Sequence, residues 1–227
     1  MLSVLVNTSS NQANQKKLCV LCGEASFFIP FGNPSRPEAR CSKCKSLERH
    51  RLFAMWLNQK SDEIAKSRVL HFAAEECLQP LLRNTAKAYT TADFKSGYDL
   101  QLNMEEIELP EDSFDCVICN HVLEHVDDRK ATREIHRILS ENGLLIASVP
   151  IIEGWETTYE NPAISSAAER TLHFGQFDHV RSYGRDFRDR VCEAGFVLEE
   201  EFTAGGEDSV KHGLIRGEKI FIFRKKY

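Results

Sequence analysis

Leu109-Pro110-Glu111-Asp112-Ser113-Phe114-Asp115-Cys116-Val117-Ile118-Cys119-Asn120-His121-Val122-Leu123-Glu124-His125-Val126 carries the clearest structural pattern of the chain. An acidic turn feeds a wholly apolar run, which stops at the polar pair Asn120 and His121 and is followed by a second histidine, His125. A short apolar run bounded by turn residues reads as a strand covered on both faces, as in a parallel sheet. Ligands of such sheets bind outside the carboxyl ends of the strands, so one segment places a strand and a site together. Cys116 and Cys119 imitate a metal-binding pair, but residues i and i+3 of a strand point to opposite faces, which assigns both to the core.

Outward from this strand, the chain beyond Arg68 alternates short apolar runs with amphipathic stretches. Strands are expected at Val69 to Phe72, Ala88 to Ala92, Leu100 to Leu102 and Leu144 to Val149, with helices near Leu78 to Thr85 and Lys130 to Leu139. Ala131, Ile135, Ile138 and Leu139 share a face of the second helix, which Asn142-Gly143 is expected to close. Alternation of this kind implies βαβ units and an α/β fold. The end of the chain reads differently: a helix from Gly184 to Ala194, then strands at Phe196 to Phe202 and Lys219 to Phe223, joined by a glycine-bearing loop into an antiparallel hairpin. Residues 151–183 show little regular pattern and suit a lid.

Ser-Phe-Asp, the strand, His121-Val122-Leu123-Glu124-His125-Val126, then Asn142-Gly143-Leu144-Leu145 and Val149-Pro150 resemble, in order, the fourth-strand region of class I S-adenosylmethionine-dependent methyltransferases of the type 11 kind. The resemblance implies a Rossmann-like sheet of order 3-2-1-4-5-7-6 with a reversed last strand, and S-adenosylmethionine as cofactor. The chain departs from the general family after the first strand. There Val69-Leu70-His71-Phe72-Ala73-Ala74-Glu75-Glu76 carries no glycine, with Ala73 and Ala74 as the nearest substitutes. A subfamily with His-Phe-Ala-Pro-Glu at this position also carries an N-terminal four-cysteine ribbon ending in Ser-Leu-Glu-Arg-His-Arg, which Ser46 to Arg51 match.

The cofactor residues implied are His71, Phe72, Ala73 and Glu75 after the first strand, and Asp93 and Phe94 after the second. An acid in the place of Asp93 accepts hydrogen bonds from both ribose hydroxyls. Asn103 and Met104 follow the third strand, where relatives meet the adenine amino group. Asn120, His121 and Val122 would line the methionine side, and His125 reads as a structural residue that pins the helix.

Cys19-Val20-Leu21-Cys22 and Cys41-Ser42-Lys43-Cys44 are two Cys-x-x-Cys pairs separated by 18 residues. Four thiolates on two tight knuckles make a tetrahedral Zn²⁺ site, and a segment with so few aliphatic residues needs a metal to fold. Residues 1–15 read as a flexible polar tail, 16–45 as a zinc ribbon, 46–66 as a connecting helix capped by Ser46, and 67–227 as the methyltransferase domain. Cys77 and Cys192 read as small core residues.

The net charge is −5, unevenly spread: residues 16–60 carry +6, which leaves −11 on the remainder. A basic head on an acidic body points to an anionic partner for the head or to a solvated basic face. No apolar run reaches the roughly 20 residues of a membrane span, so a cytoplasmic protein with reduced thiols is expected.

The lid holds the acceptor-side candidates in Thr171-Leu172-His173-Phe174-Gly175-Gln176-Phe177-Asp178-His179-Val180-Arg181-Ser182-Tyr183. Methyl transfer to a hydroxyl or amine benefits from a general base, for which His179 is the candidate, oriented by Asp178 or His173, with Arg181 for an anionic group. The alternative is that these residues only pin the lid. Three functional classes follow: an O- or N-methyltransferase of a small molecule or glycan, an RNA methyltransferase gripping RNA with its ribbon, and a non-catalytic binding module. The oligomeric state is not legible.

Overall fold

The computed structural model describes residues 16–226. The tail expected at residues 1–15 lies outside the described residues. The ribbon is built from β1 (Lys17–Leu18), β2 (Ala25–Ser26), β3 (Phe28–Phe31) and β4 (Arg36–Cys41), paired β1 with β2 and β3 with β4, both antiparallel. Each cysteine knuckle closes the same way: Gly23 N–H donates to Cys19 O (2.8 Å) and Lys45 N–H to Cys41 O (3.1 Å). Both closing residues have left-handed backbone, with φ of 71° at Gly23 and 64° at Lys45.

The connecting helix α1 spans Glu48–Ile64. Ser46 does not cap it. Leu47 occupies the cap position, and the Ser46 hydroxyl lies 3.4 Å from Cys19 Sγ and 3.1 Å from Cys44 Sγ, so the sulfurs have claimed it.

The body is a seven-stranded sheet: β5 (Arg68–Phe72), β6 (Ala88–Asp93), β7 (Leu100–Gln101), β8 (Phe114–Asn120), β9 (Leu139–Ser148), β12 (Phe196–Thr203) and β13 (Lys219–Lys225). In space they run β7, β6, β5, β8, β9, β13, β12. The pairs among β5 to β9 are parallel, and β13 runs antiparallel to β9 on one side and β12 on the other. Strand parity decides the two cores. Leu70, Phe72, Val117, Cys119, Leu145, Ala147, Phe221 and Phe223 face one layer; Val69, Cys116, Ile118, Leu144, Ile146, Ile220 and Ile222 face the other. Cys116 and Cys119 therefore sit on opposite faces, both fully buried.

The helices cover these faces. On the second face, α1 contributes Leu52, Phe53, Trp56 and Leu57, joined by Leu82 of α2 (Gln79–Thr85). On the first, α3 (Asp128–Ile138) buries Ala131, Ile135 and Ile138 and starts on the Asp127 carboxylate, which accepts from Lys130 N–H. Asn142-Gly143 does not close α3. The helix ends at Ile138, Leu139 already pairs with Phe114, and Asn142 (φ 60°) and Gly143 form an irregularity inside β9 before regular pairing starts at Leu144.

The insertion is more regular than its sequence suggests. It holds β10 (Tyr159–Glu160), paired with β11 (Arg181–Ser182), and α4 (Ala167–Phe174), which carries a Ser166/Glu169 capping box and ends on Gly175 at φ 81°. Helix α5 (Phe187–Cys192) follows. The glycine-bearing loop between β12 and β13 contains another helix, α6 (Gly206–His212), because glycines at its two ends turn the chain while the residues between them are helix-compatible.

That helix docks the ribbon. Arg51, fully buried on α1, donates to the carbonyls of Ser46 (2.7 Å), Ala39 (3.1 Å), His212 (2.8 Å) and Gly213 (2.6 Å), and its guanidinium lies 4.1 Å from the Phe28 ring centre. One side chain thus ties ribbon, α1 and α6. Arg51→Ala would strand these buried acceptors, and unfolding by urea should show a loss of about 3 kcal/mol or more. Arg51→Lys should recover only a minor part, because an ammonium cannot fork to acceptors on three segments.

Candidate functional site

The carboxyl ends of β5, β6 and β8 open onto a cavity of about 540 Å³. Phe72 and Ala73 form one wall, Asp93 and Phe94 the second, Asn103 and Met104 the third, and His121 and Val122 the fourth. A cavity of similar volume at the amino ends of β8 and β9, near Asp115 and Gly143, is at the wrong end of a parallel sheet for a ligand.

Ala73 solves the missing-glycine problem in its own way. Its φ is 49°, in the region glycine favours, and its N–H is held by Ala92 O at 2.8 Å. Alanine tolerates that backbone at a cost of about 1 kcal/mol and adds only one methyl to the wall. His121, at the end of β8, is likewise left-handed (φ 54°) and fixed by Ser148 O at 2.8 Å. Strained residues at strand ends are common where a ligand is met. Asp93 is half-buried and lines the cavity; one oxygen accepts from Lys95 N–H at 2.8 Å, and the other has no protein donor among the described residues. Asn103 is exposed, and its amide oxygen already accepts from Glu105 N–H (3.0 Å).

Three of the expected cofactor residues lie behind this wall rather than on it. His71 is fully buried, with Nδ1 2.8 Å from the Tyr89 hydroxyl and Nε2 2.8 Å from Glu75. The other Glu75 oxygen is 3.6 Å from His50 Nε2. Burial alone would raise the Glu75 pKa, but its contact with His71 outweighs that and holds the carboxyl at about 2. His50, by contrast, is pushed down to about 4 by burial and is neutral. Asn120 is buried and accepts from the Ser148 hydroxyl at 3.1 Å. The Ser46-to-Arg51 motif therefore has a mechanical meaning. Glu48 holds β4 through two bonds to Arg36, His50 braces the turn after β5 through Glu75, and Arg51 ties the ribbon down.

The acceptor-side candidates separate. Asp178 lines the large cavity and lies 3.4 Å from His125 Nδ1. His179 instead lines an adjoining cavity of about 220 Å³ with Glu124, Phe174 and Arg181, and burial pushes its pKa down, keeping the ring neutral. His173 is exposed on α4, its Nδ1 2.8 Å from the Tyr159 hydroxyl, and lines neither cavity. Arg181 is buried and structural, bonded to Glu160 and to Leu123 O (2.9 Å).

Glu124 was given no role by its sequence context, yet it is 1% exposed and both its carboxylate oxygens lack a hydrogen-bond partner. His121 pairs with it through Nδ1 at 3.4 Å and with Glu218 through Nε2 at 3.8 Å, as ion pairs rather than hydrogen bonds. Burial opposes protonation of His121, and the two carboxylates outweigh it, raising the pKa to about 9. In the ribbon, the sulfurs of Cys19, Cys22, Cys41 and Cys44 lie within 4.8 Å of one another, with Cys19 and Cys44 3.6 Å apart. Tetrahedral Zn–S bonds of about 2.3 Å would set sulfurs about 3.8 Å apart, so the cluster fits a zinc ion.

Residues 59–147 match the family model described as "Methyltransferase domain". That span holds Phe72, Ala73, Asp93, Phe94, Asn103, Met104, His121 and Val122 of the large cavity and none of the lid residues. The fold agrees: the structure resembles an S-adenosylmethionine-dependent methyltransferase from Mesorhizobium loti (TM-score 0.53, 15% identity, 77% of this chain and 98% of that one). It also resembles 1,6-didemethyltoxoflavin-N1-methyltransferase of Burkholderia thailandensis with bound S-adenosylhomocysteine (TM-score 0.53, 15% identity, 75% and 78%). In sequence, the chain is 37% identical over 121 residues to ubiquinone/menaquinone biosynthesis C-methyltransferase UbiE of Pectobacterium carotovorum subsp. carotovorum (strain PC1), covering 47% of this chain and 48% of that protein. The chain thus spans about half the length of that curated relative. Together these matches show a Rossmann-like fold whose residues 59–147 are similar to a methyltransferase domain.

Proposed function

We propose that the chain transfers a methyl group from S-adenosylmethionine to an oxygen or nitrogen of a small-molecule or glycan acceptor. The observation that carries this reading is the convergence of Phe72, Ala73, Asp93, Met104, His121 and Val122 on one cavity at the carboxyl ends of β5, β6 and β8. Asp93 would hold the ribose, Phe94 and Asn103 would flank the adenine, and His121 and Val122 would line the methionine end. His71, Glu75 and Asn120 act from behind, by fixing the backbone that meets the cofactor. The bound cofactor supplies an electrophilic methyl group; the protein's part is to align the acceptor and exclude water.

The acceptor belongs to the adjoining cavity, whose small volume and mainly apolar lining by Pro150, Ile151, Ile152 and Phe174, with His179 among them, suit a compact acceptor. His179, neutral and facing that cavity, is the side chain we assign to the acceptor, with Asp178 beside it; His173 supports the lid through Tyr159. The UbiE relative is named a C-methyltransferase, so a carbon acceptor is the neighbouring chemistry that product analysis would reveal. Zn²⁺ held by Cys19, Cys22, Cys41 and Cys44 has a structural role here, and with all eight cysteines unpaired we place the protein in the cytoplasm. Among the described residues no helix is long and apolar enough to cross a membrane.

Asp93→Ala should weaken S-adenosylmethionine binding by roughly 30-fold, about 2 kcal/mol, through loss of charge-assisted ribose bonds. Methyl transfer is tested by following S-adenosylhomocysteine release with fractionated small-molecule extracts. Turnover should fall in His179→Ala while cofactor affinity stays, and unchanged turnover would remove His179 from the acceptor side.

One observation favours a second reading. The ribbon exposes Phe27, Ile29 and Phe31, with Lys16 5.7 Å from the Phe27 ring centre and Arg40 5.2 Å from that of Phe31. Aromatic rings flanked by cations can stack bases, and RNA retention that weakens steeply with salt would favour an RNA acceptor.

A further inference from the structure

We propose that Glu124, His125 and His179 form a second metal site, for a divalent transition ion, at the wall between the two cavities. Their ligand atoms lie within 4.8 Å of one another. The second, independent observation is Glu124 itself: 1% exposed, with neither oxygen hydrogen-bonded. A carboxylate so buried and so poorly satisfied is costly unless something completes it. His121 approaches to 3.4 Å without forming a hydrogen bond, whereas the rings of His125 and His179 meet edge to face with centres 4.7 Å apart. Two imidazoles and one carboxylate on one side of an ion leave its other positions open, a donor set suited to Zn²⁺, Fe²⁺ or Mn²⁺.

The backbone holds the three residues together from distant segments. Glu124 and His125 sit on the short 3-10 turn Leu123–His125 after β8. The lid is lashed to that turn by Val180 N–H donating to Glu124 O (2.9 Å) and by Arg181 and the Tyr183 hydroxyl donating to Leu123 O (2.9 and 3.0 Å), which brings His179 opposite Glu124. Asp178, 3.4 Å from His125 Nδ1, is placed as the outer carboxylate that orients a ligating imidazole.

The site borders both chambers, since His125 and Asp178 line the large cavity and Glu124 and His179 the small one. Resting on the methyltransferase reading, this gives the ion a role. An acceptor hydroxyl on an open position would lose its proton to solvent more easily, and its oxygen would bond the methyl carbon as the C–S bond breaks with its electron pair left on sulfur. His179 would then serve as a ligand through the nitrogen otherwise available to the acceptor's proton.

The test is a Co²⁺ titration of the full chain stripped of metal. Wild type should take up two ions per chain: one with the intense thiolate charge-transfer bands of the four-cysteine site, the other with the weak bands of a nitrogen and oxygen site. Glu124→Gln and His179→Ala should keep the first and weaken the second at least ~100-fold, and the outer-shell Asp178→Asn should weaken it about tenfold, each with an unchanged unfolding midpoint for the sheet. Saturation of wild type at one ion, or a second ion indifferent to these substitutions, would overturn the site. S-adenosylmethionine binding by the same preparations separates the two readings, because binding without a second ion rejects the metal site alone.

Discussion

Cys41→Ser, or removal of the ribbon metal with a chelator, is expected to unfold residues 16–45 while leaving the seven-stranded sheet intact. The ribbon's own buried apolar cluster is only Cys19, Phe28 and Cys41, so little but metal bonding can offset the entropy of ordering it. Structural zinc in small isolated domains contributes on the order of 10 kcal/mol, more than this ribbon can otherwise supply. The consequence should reach the cofactor. Losing the ribbon frees Arg36 from Glu48 and disturbs the start of α1, from which His50 braces Glu75. Hydrogen exchange should therefore show lost protection across 16–45 and a smaller loss across 71–77, with weaker S-adenosylmethionine binding. Unchanged protection in the ribbon would contradict a metal-dependent fold.

Asp128→Ala should be the most damaging single change in the body, about 3–5 kcal/mol by denaturant unfolding, because it leaves buried guanidinium groups without their central acceptor. Asp128 is 3% exposed; Arg190 donates to both its oxygens (2.8 and 2.9 Å), Tyr183 donates at 3.0 Å, and Arg181 lies 3.6 Å away. Asp128→Asn keeps the shape without the charge and should cost less. The acid limb of stability carries the same signature. Burial alone would raise the Asp128 pKa, but Arg190 and Arg181 outweigh it and lower it in the folded protein. A carboxyl lowered on folding contributes fully above its unfolded pKa of about 3.9 and loses that contribution as pH falls through the folded value. Asp128→Asn should flatten stability over that acid window and leave the slope near neutral pH alone.

What the sequence revealed, and what it hid, follows from the range of the interactions. Strand parity put Cys116 and Cys119 on opposite core faces, and spacing placed the four ribbon cysteines, because both are local. Parity also explains why His71 lies behind the cavity: it shares a face with Val69, whereas Phe72 and Ala73 reach the strand end. Treating the whole motif as a binding surface ignored that alternation. The tasks of His50 and Arg51 depend on partners such as Glu75 and Gly213 that no local pattern connects to them. Glu124 reads as an ordinary charge on a turn, and the lid segment whose Val180 N–H bonds its carbonyl lies more than fifty residues further along the chain. Glycines around 205–213 suggested a bare loop where two of them flank α6.

On the proposed reading, the cavity at the ends of β5, β6 and β8 binds S-adenosylmethionine against the backbone of Ala73. Calorimetric titration of the full chain tests it most directly. Wild type should show saturable one-site binding in the micromolar range, and Ala73→Leu, which crowds a left-handed position on the cavity wall, should abolish it without lowering the unfolding midpoint by more than a few degrees. No saturable heat with wild type, or equal affinity in Ala73→Leu, would contradict the account.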